Sequence, residues 1–361
     1  MIIVLITTLY IIVCISFILI LSKKLNKQLN DYNIDKPTLF ISIIVAAKNE
    51  ENTLPGLISS LAKLNYSKNK FEVIIVDDNS TDETFFMAEE LLLAFDNFRI
   101  VRAANKNYEG KRGALDYGIS LAKYDNILIT DADCKPGENW LKEINDKFIS
   151  GCEFITGFAP FRQNQLLINK ISCYENFRNN LLTIFANKIG LPFTASARNL
   201  ALKKNVFQKI EGYKNTVDTL SGDDDLLLRE AVKNKSKICT LATKDSFVYS
   251  ETKQSFKDYF TQRARHTQTS FHYLLKQSIL LFLWHTINII FLLSPLLAIL
   301  DLIYIVPFIV KIFFDLLISI LYQERLSYKF SLIETFYLQF FYEIFLIVHI
   351  FNSGFRKIKW K

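Results

Sequence analysis

The sequence predicts an α/β domain with a parallel sheet, framed by membrane-type helices, and three observations carry that prediction. Short β-branched runs alternate with helical spacing between residues 41 and 130. Two of those runs end in acidic clusters, Asp77-Asp78 and Asp131-Ala-Asp133. Long apolar stretches lie on both sides. Strands separated by helices of about 10–15 residues form right-handed βαβ units. Such sheets take ligands outside the carboxyl ends of their strands.

Residues 1–22 contain no charged side chain. As a helix they cover roughly 33 Å, enough for a hydrocarbon core of about 30 Å. Lys23, Lys24 and Lys27 follow, so the positive-inside bias places the next segment in the cytoplasm. With no basic residues before the apolar run and no small-residue cleavage site after it, the stretch reads as an uncleaved anchor. Ile41–Ala47 is the first strand and Glu50–Leu64 its helix. Phe71–Val76 and Asp82–Ala94 form the second pair, Phe98–Arg102 and Arg112–Ala122 the third, and Asn126–Thr130 the fourth strand. The ligand edge of that sheet then carries Ala47-Lys48-Asn49-Glu50, Asp77-Asp78 and Asp131-Ala-Asp133.

Three apolar segments follow toward the carboxyl end. Residues 278–300 come first, then 302–321, interrupted by Lys311 and Asp315, whose spacing of four lets each offset the other's cost in a bilayer. Residues 331–351 are a weaker third span, with Glu334, Glu343 and His349. Four crossings from an outside amino terminus would leave the basic tail, Arg356 to Lys361, outside, against the charge rule. The expected organisation is an anchor at 1–22, a catalytic domain at 38–255, an interfacial helix at 256–276, membrane helices at 277–353 and a basic tail at 354–361. The protein is expected to be a multi-pass protein of the inner (plasma) membrane with a cytoplasmic catalytic domain.

The formal charge of +7 fits topology signals and contacts to anionic lipid. No recognised nucleic-acid motif accompanies it, so no nucleic-acid partner is expected. The five cysteines show no paired metal spacing and read as reduced packing residues.

The clusters carry the chemistry. Asp131 and Asp133, one residue apart past a strand, point the same way in extended backbone and suit a hard cation shared with a diphosphate. The competing reading is an Asx turn. Asp78 could accept hydrogen bonds from a base or ribose, or cap a helix. Lys111, in Glu-Gly-Lys-Arg-Gly, could offset phosphate charge or be a solvated loop lysine. Gly222-Asp-Asp-Asp-Leu226 begins a helix, where acids suit the macrodipole. Three in a row exceed what capping needs, and crowded carboxylates raise one another's pKa, as a general base requires. Gln262, Arg265 and His266 share a helix face in an aromatic, basic stretch suited to a membrane interface.

Together these motifs resemble the family 2 glycosyltransferases of the GT-A fold, over residues 40–270. Ile41 to Glu51 is similar to the family's opening strand and Asn-Glu turn, which implies that Ala47 and Glu50 lie at the donor. Val76-Asp-Asp-Asn-Ser-Thr-Asp82 resembles its second strand motif, which implies that Asp78 contacts the nucleotide base. Gly110-Lys111-Arg-Gly-Ala-Leu115 is similar to its Gly-Lys segment near the donor. Asp131-Ala-Asp133 matches its Asp-X-Asp motif, implying that Asp131 supports the ribose or metal and Asp133 binds a divalent ion, Mg²⁺ or Mn²⁺. Thr194 to Ala201, with Arg198, resembles the loop flooring the acceptor site. Gly222-Asp-Asp-Asp-Leu226 stands where the family has Glu-Asp-X-Asp-Leu. Registering on Asp225-Leu226 puts the catalytic Asp at Asp223, with Asp224 as second candidate because Gly222 replaces an acid. Gln262-Arg-Ala-Arg-His266 is similar to the Gln-X-X-Arg-Trp motif, with His266 at the Trp position. That departure weakens a processive polysaccharide synthase reading.

The resemblance implies metal-assisted, inverting transfer of a sugar from a nucleotide-sugar donor to a lipid-linked or glycan acceptor, in contact with membrane lipid. Two other classes remain to be weighed. A haloacid-dehalogenase-like phosphatase would attack phosphate with Asp131, but it leaves the 41–51 and 74–82 motifs idle and puts Cys134 where Thr or Val is usual. A non-catalytic nucleotide-binding membrane protein would not need the intact acids at 78, 131, 133 and 223. Sugar, nucleotide, acceptor and oligomeric state are not encoded in any of these motifs.

Overall fold

The computed structural model describes residues 2–25, 37–104, 106–217, 219 and 221–355. The chain forms two compact units. Among the described residues, one comprises those within 37–160 and 192–251; the other comprises 2–25, 161–191 and 252–355. The basic tail from Arg356, together with Lys27, lies outside the described residues.

After the opening helix α1 (Ile2–Leu25), the first unit runs β1 (Ile41–Ala47), α2 (Leu54–Ala62), β2 (Phe71–Asp77), α3 (Thr84–Leu92), β3 (Phe98–Arg102), α4 (Gly110–Ser120) and β4 (Asn126–Asp131). It continues with β5 (Lys135–Pro136), α5 (Trp140–Ile149) and β6 (Phe154–Gly157). The chain then passes through α6 (Leu167–Lys188) and returns as β7 (Leu200–Lys203), α7 (Lys204–Lys209), α8 (Asp223–Lys233), β8 (Ile238–Leu241) and β9 (Val248–Tyr249).

Seven strands form one sheet in the order β3-β2-β1-β4-β7-β6-β8. Alternation along β1 explains its burial on both faces. Ile41, Ile43 and Val45 pack with Leu54, Leu57 and Leu61 of α2 and with Trp140 of α5. Ile44 packs on the other face with Ala114 and Leu115 of α4 and Leu227 of α8. The parallel sheet expected from the sequence holds for β1 to β4, β3-β2-β1-β4 being parallel throughout. The full sheet is mixed, because β7 runs antiparallel to both β4 and β6. Strand β7 is reached through the long 161–191 excursion rather than a one-helix crossover, so the crossover rule does not set its direction. A buried polar node holds this half: Trp140 Nε1 donates to Asn199 Oδ1 at 2.9 Å, and Asn199 Nδ2 donates to the Phe158 and Ser246 carbonyls.

The cysteines differ from expectation. Cys152 and Cys239, 87 residues apart, form a disulfide with Cα atoms 5.9 Å apart, joining the start of β6 to β8. Cys14, Cys134 and Cys173 are free and buried.

The second unit is helical: α1, α6, α9 (Phe256–Ser270), α10 (Leu275–Leu293), α11 (Ile305–Tyr322) and α12 (Leu332–Phe355). Four of its stretches are long and apolar enough to cross a membrane: 2–23, 275–297, 302–322 and 332–353. The weakest sequence candidate therefore forms a full-length helix. Its charges have partners: Glu334 meets Lys170 of α6 at 2.7 Å, and Glu343 lies 3.8 Å from Lys311. Lys311 and Asp315 pair along α11 at 2.6 Å, as their spacing predicts, and Arg178 of α6 joins them at Asp315. Tyr10 of α1 stacks near Trp284 and Phe291 of α10, and its hydroxyl donates to Asn288 Oδ1 at 3.0 Å. Residues 161–191, expected inside the catalytic domain, group with these helices.

Candidate active site

The site of the first unit is built where β1, β2 and β4 end. After Ala47 and Asp77 the chain turns at Asn49 and Asn79, both with φ of 55°, a left-handed conformation that Asn tolerates. The two loops bind each other. Asn49 N–H donates to Ser80 Oγ at 3.0 Å, Thr81 N–H donates to Asn49 Oδ1 at 2.9 Å, and Glu50 N–H donates to Thr84 Oγ1 at 2.7 Å. The Glu50 carboxylate is turned back onto its own loop, accepting from Thr53 Oγ1. Asp78 N–H donates to the Ala47 carbonyl at 2.7 Å, so Ala47 is the hinge on which the Asp78 loop is registered.

Asp78 is 2% exposed. Its Oδ1 pairs with Lys106, while its Oδ2 is buried with no hydrogen-bond partner. Leaving a buried carboxylate oxygen unpaired costs free energy, so a donor on a ligand would be bound favourably there.

Lys111 is the centre of the arrangement. Its Nζ lies 2.7 Å from Asp131 Oδ1 and 3.2 Å from Asp223 Oδ2. Burial opposes the ammonium charge, but Asp131, Asp223 and Asp224 outweigh it and hold the lysine pKa well above its ordinary value. The loop that delivers Lys111 needs Gly113: a Cβ there would meet the Tyr108 carbonyl oxygen at 1.9 Å. Asp133, two residues past Asp131, is exposed. Ala132 and Cys134 are buried, and the Cys134 N–H donates to the Asp131 carbonyl at 3.2 Å, so the chain turns at Asp133.

Helix α8 begins after Gly222, which has φ of 75°, and its three acids divide their work. Asp225 Oδ1 accepts from Thr194 Oγ1 and Ala195 N–H at 2.8 and 2.9 Å. Asp224 Oδ2 accepts from Ala197 N–H at 2.8 Å and its Oδ1 from Asp225 N–H at 2.9 Å. Both therefore brace the 194–197 loop, while Asp223 faces Lys111. Burial first, then Asp225 and Asp223, push the Asp224 pKa up to about 8. Arg198 follows that loop, its guanidinium bonded to Ser196 and Ser250 hydroxyls.

Arg112 carried no role in the sequence reading. It is buried, and its two terminal nitrogens donate to the Thr219 and Ser221 carbonyls, fixing the segment that leads into Asp223. Only its place beside Lys111 hinted at this. Gln262, Arg265 and His266 lie on α9 in the helical unit, with His266 exposed.

Residues 42–210 match the family model described as "Glycosyl transferase family 2". That match covers just under half of the chain and makes residues 42–210 similar to glycosyl transferase family 2. The family 2 domain spans β1 to α7 and includes Asp78, Lys111, Asp131, Asp133 and Arg198; Asp223 and α9 lie beyond the match. A beta-monoglucosyldiacylglycerol synthase of Nostoc sp. is 37% identical over 105 residues, 29% of this chain and 22% of that protein. Glycosyltransferase AglE of Haloferax volcanii is 29% identical over 186 residues, 51% of this chain and 59% of that protein. The poly-beta-1,6-N-acetyl-D-glucosamine synthase of Staphylococcus aureus is 29% identical over 153 residues, covering 42% of this chain and 35% of its own. The match thus spans between about a fifth and three-fifths of the length of these relatives. Among solved structures, the mannosyltransferase PcManGT from Pyrobaculum calidifontis, in complex with GDP-Man and Mn²⁺, superposes with a TM-score of 0.55. It is 14% identical and covers 98% of this chain and 99% of its own, a likeness of fold.

The family implies a divalent metal. Among the described residues no group of three or more His, Cys, Asp or Glu forms a complete cage. Asp131 and Asp133, two residues apart at the end of β4, nonetheless offer hard oxygen donors, and Mg²⁺ and Mn²⁺ are commonly held by one or two carboxylates with phosphate and water completing the shell. The donor set fits a cation that arrives with a diphosphate.

Proposed function

We propose that the protein is a membrane-bound glycosyltransferase that moves a sugar from a nucleotide-sugar donor to a lipid-linked or glycan acceptor, inverting the anomeric centre. The observation that supports this best is Lys111 spanning Asp131 and Asp223, which puts the donor-side carboxylate and the candidate base within reach of one ammonium group. Asp78, with its unpaired buried oxygen, receives the nucleotide from the side that Ala47 and Glu50 form. Asp131 and Asp133 would hold a divalent cation, Mg²⁺ or Mn²⁺, which would supply positive charge against the departing diphosphate. Asp223 takes the proton of the acceptor hydroxyl as that oxygen forms its bond to the anomeric carbon. The bond from the anomeric carbon to the diphosphate oxygen breaks on the opposite face. Asp224 is the weaker candidate, since main-chain N–H groups occupy both its oxygens.

Arg198 and the α9 face of Gln262, Arg265 and His266 serve the acceptor. With His266 in place of Trp, the reading is limited addition rather than processive synthesis. The four apolar helices support a membrane location, which we read as the plasma membrane, and Lys23 and Lys24 in the last turn of α1 favour a cytoplasmic family 2 domain. The test is nucleoside diphosphate release by detergent-purified protein, given a panel of UDP- and GDP-sugars, Mn²⁺ or Mg²⁺, and crude membrane lipid. Release with one donor, lost in Asp133→Ala and Asp223→Asn, is expected. A folded protein that neither binds nor turns over any donor contradicts the proposal.

A further inference from the structure

Arg263, the second residue of Gln262-Arg-Ala-Arg-His266, has no part in the motif reading, yet it ties α9 to α6. Its Nε lies 2.8 Å from Glu175 Oε2 on α6. Tyr259, one turn earlier, donates its hydroxyl to the same oxygen at 2.9 Å and lies 3.2 Å from His349 Nε2 on α12. His349 Nε2 is in turn 4.0 Å from Glu175 Oε1. Tyr259 and His349 are almost wholly buried, and Arg263 and Glu175 nearly so. Glu175 itself has little freedom, because Arg178, three residues on, is tied to Asp315 of α11. Further along α9, Gln268 Nε2 donates to the Ser353 carbonyl of α12 at 2.6 Å.

The geometry of these contacts is directional. Tyr259 and Arg263, four apart, lie on the face of α9 that meets α6 and α12, whereas Gln262, Arg265 and His266 form the adjoining face. Successive residues are about 100° apart around a helix, so a shift of one residue at the Glu175 contact would swing the motif face by that angle. Apolar packing alone tolerates such slippage; a buried carboxylate shared by a guanidinium and a phenol does not, since a displaced helix leaves a buried charge unpaired.

We propose that Arg263, with Glu175, Tyr259 and His349, is the positioning set that fixes the rotation of α9 and so the direction in which Gln262, Arg265 and His266 are presented. The inference rests on the reading of that face as acceptor-side. Arg263 touches no reacting atom in this account; it acts through the helix.

The test uses the full chain in detergent with two readouts. One is the mobility of a nitroxide on α9 at Thr261→Cys, an exposed position with no assigned role. The other is nucleoside diphosphate release with the donor panel and crude membrane lipid, measured without the label. Arg263→Met and Glu175→Gln should loosen the label and lower kcat by about tenfold or more, with the donor KM within about twofold, since a misplacement of an ångström is enough for such losses. Arg263→Lys should recover part of the rate, and Tyr259→Phe, which keeps the ring, should fall between. If Arg263→Met does not fold, Glu175→Gln and Tyr259→Phe carry the same comparison. An unchanged label, or a loosened label with unchanged kcat, overturns the proposal. Absence of turnover in the wild type would instead count against glycosyl transfer, and the label would still decide whether these residues orient α9.

Discussion

Both units bury charge, but they do so in opposite ways. At the sheet edge the acids outnumber the bases: Asp131, Asp223 and Asp224 surround Lys111, and Asp133 stands exposed two residues past Asp131. In the helical unit the charges are matched, Arg178 with Asp315, Lys311 with Asp315 and Glu343, and Arg263 with Glu175. Matched buried charges hold helices in place at a desolvation cost that excellent geometry offsets. Surplus carboxylates on an open edge have no such partner within the fold, and their natural complement is a cation with its anionic ligand. The difference separates a site from a scaffold without reference to sequence motifs.

That contrast can be broken by substitution. Asp223→Asn should lower turnover by about 10²–10⁴-fold with the fold retained, as removal of a general base does. If Asp224→Asn gives the larger loss, the base assignment moves by one residue. In the helical unit Asp315→Asn should act on stability, costing about 3–5 kcal/mol by leaving Arg178 and Lys311 without their carboxylate. Thermal unfolding in detergent reads this, and an unchanged midpoint would show that the cluster is not the scaffold described.

The Cys152–Cys239 link sharpens the comparison further. Denatured, unreduced protein should titrate three thiols, and reduced protein all five. Reduction should cost about 2–4 kcal/mol of stability in the sheet unit, because the link closes a long loop. Five free thiols before reduction would show that the pair is reduced in the protein as purified, as a reducing cytoplasm would keep it.

Much of this was legible in the chain, for identifiable reasons. β1 to β4 follow from alternating β-branched runs, and Lys311–Asp315 from a spacing of four. The rest depends on long-range pairing. β7 runs antiparallel because of where a distant segment returns. Helix α6 looks polar in sequence because Glu175 and Arg178 meet their partners on α9, α11 and α12, more than 80 residues away. Arg112 binds main-chain carbonyls at 219 and 221, which carry no sequence signature at all.

A further prediction concerns pH. Burial and the neighbouring Asp225 and Asp223 push the Asp224 pKa up to about 8 from an ordinary 3.8, so the folded state favours a proton there between those values. Its contribution to stability is therefore present at low pH and lost as pH rises through about 8. Asp224→Asn should flatten the pH dependence of Tm over that window; a slope identical to the wild type would remove Asp224 from the account.

The surplus of carboxylate at the sheet edge is tested most directly by ligand-linked stability. The Tm of the purified protein would be followed with UDP or GDP at about a hundred times its Kd, each with Mn²⁺ or with EDTA. The account predicts stabilisation of about 2.7 kcal/mol with nucleotide and cation together. It should be much weaker with either alone, and lost in Asp133→Ala. Equal stabilisation with and without the cation, or none in either case, would contradict it.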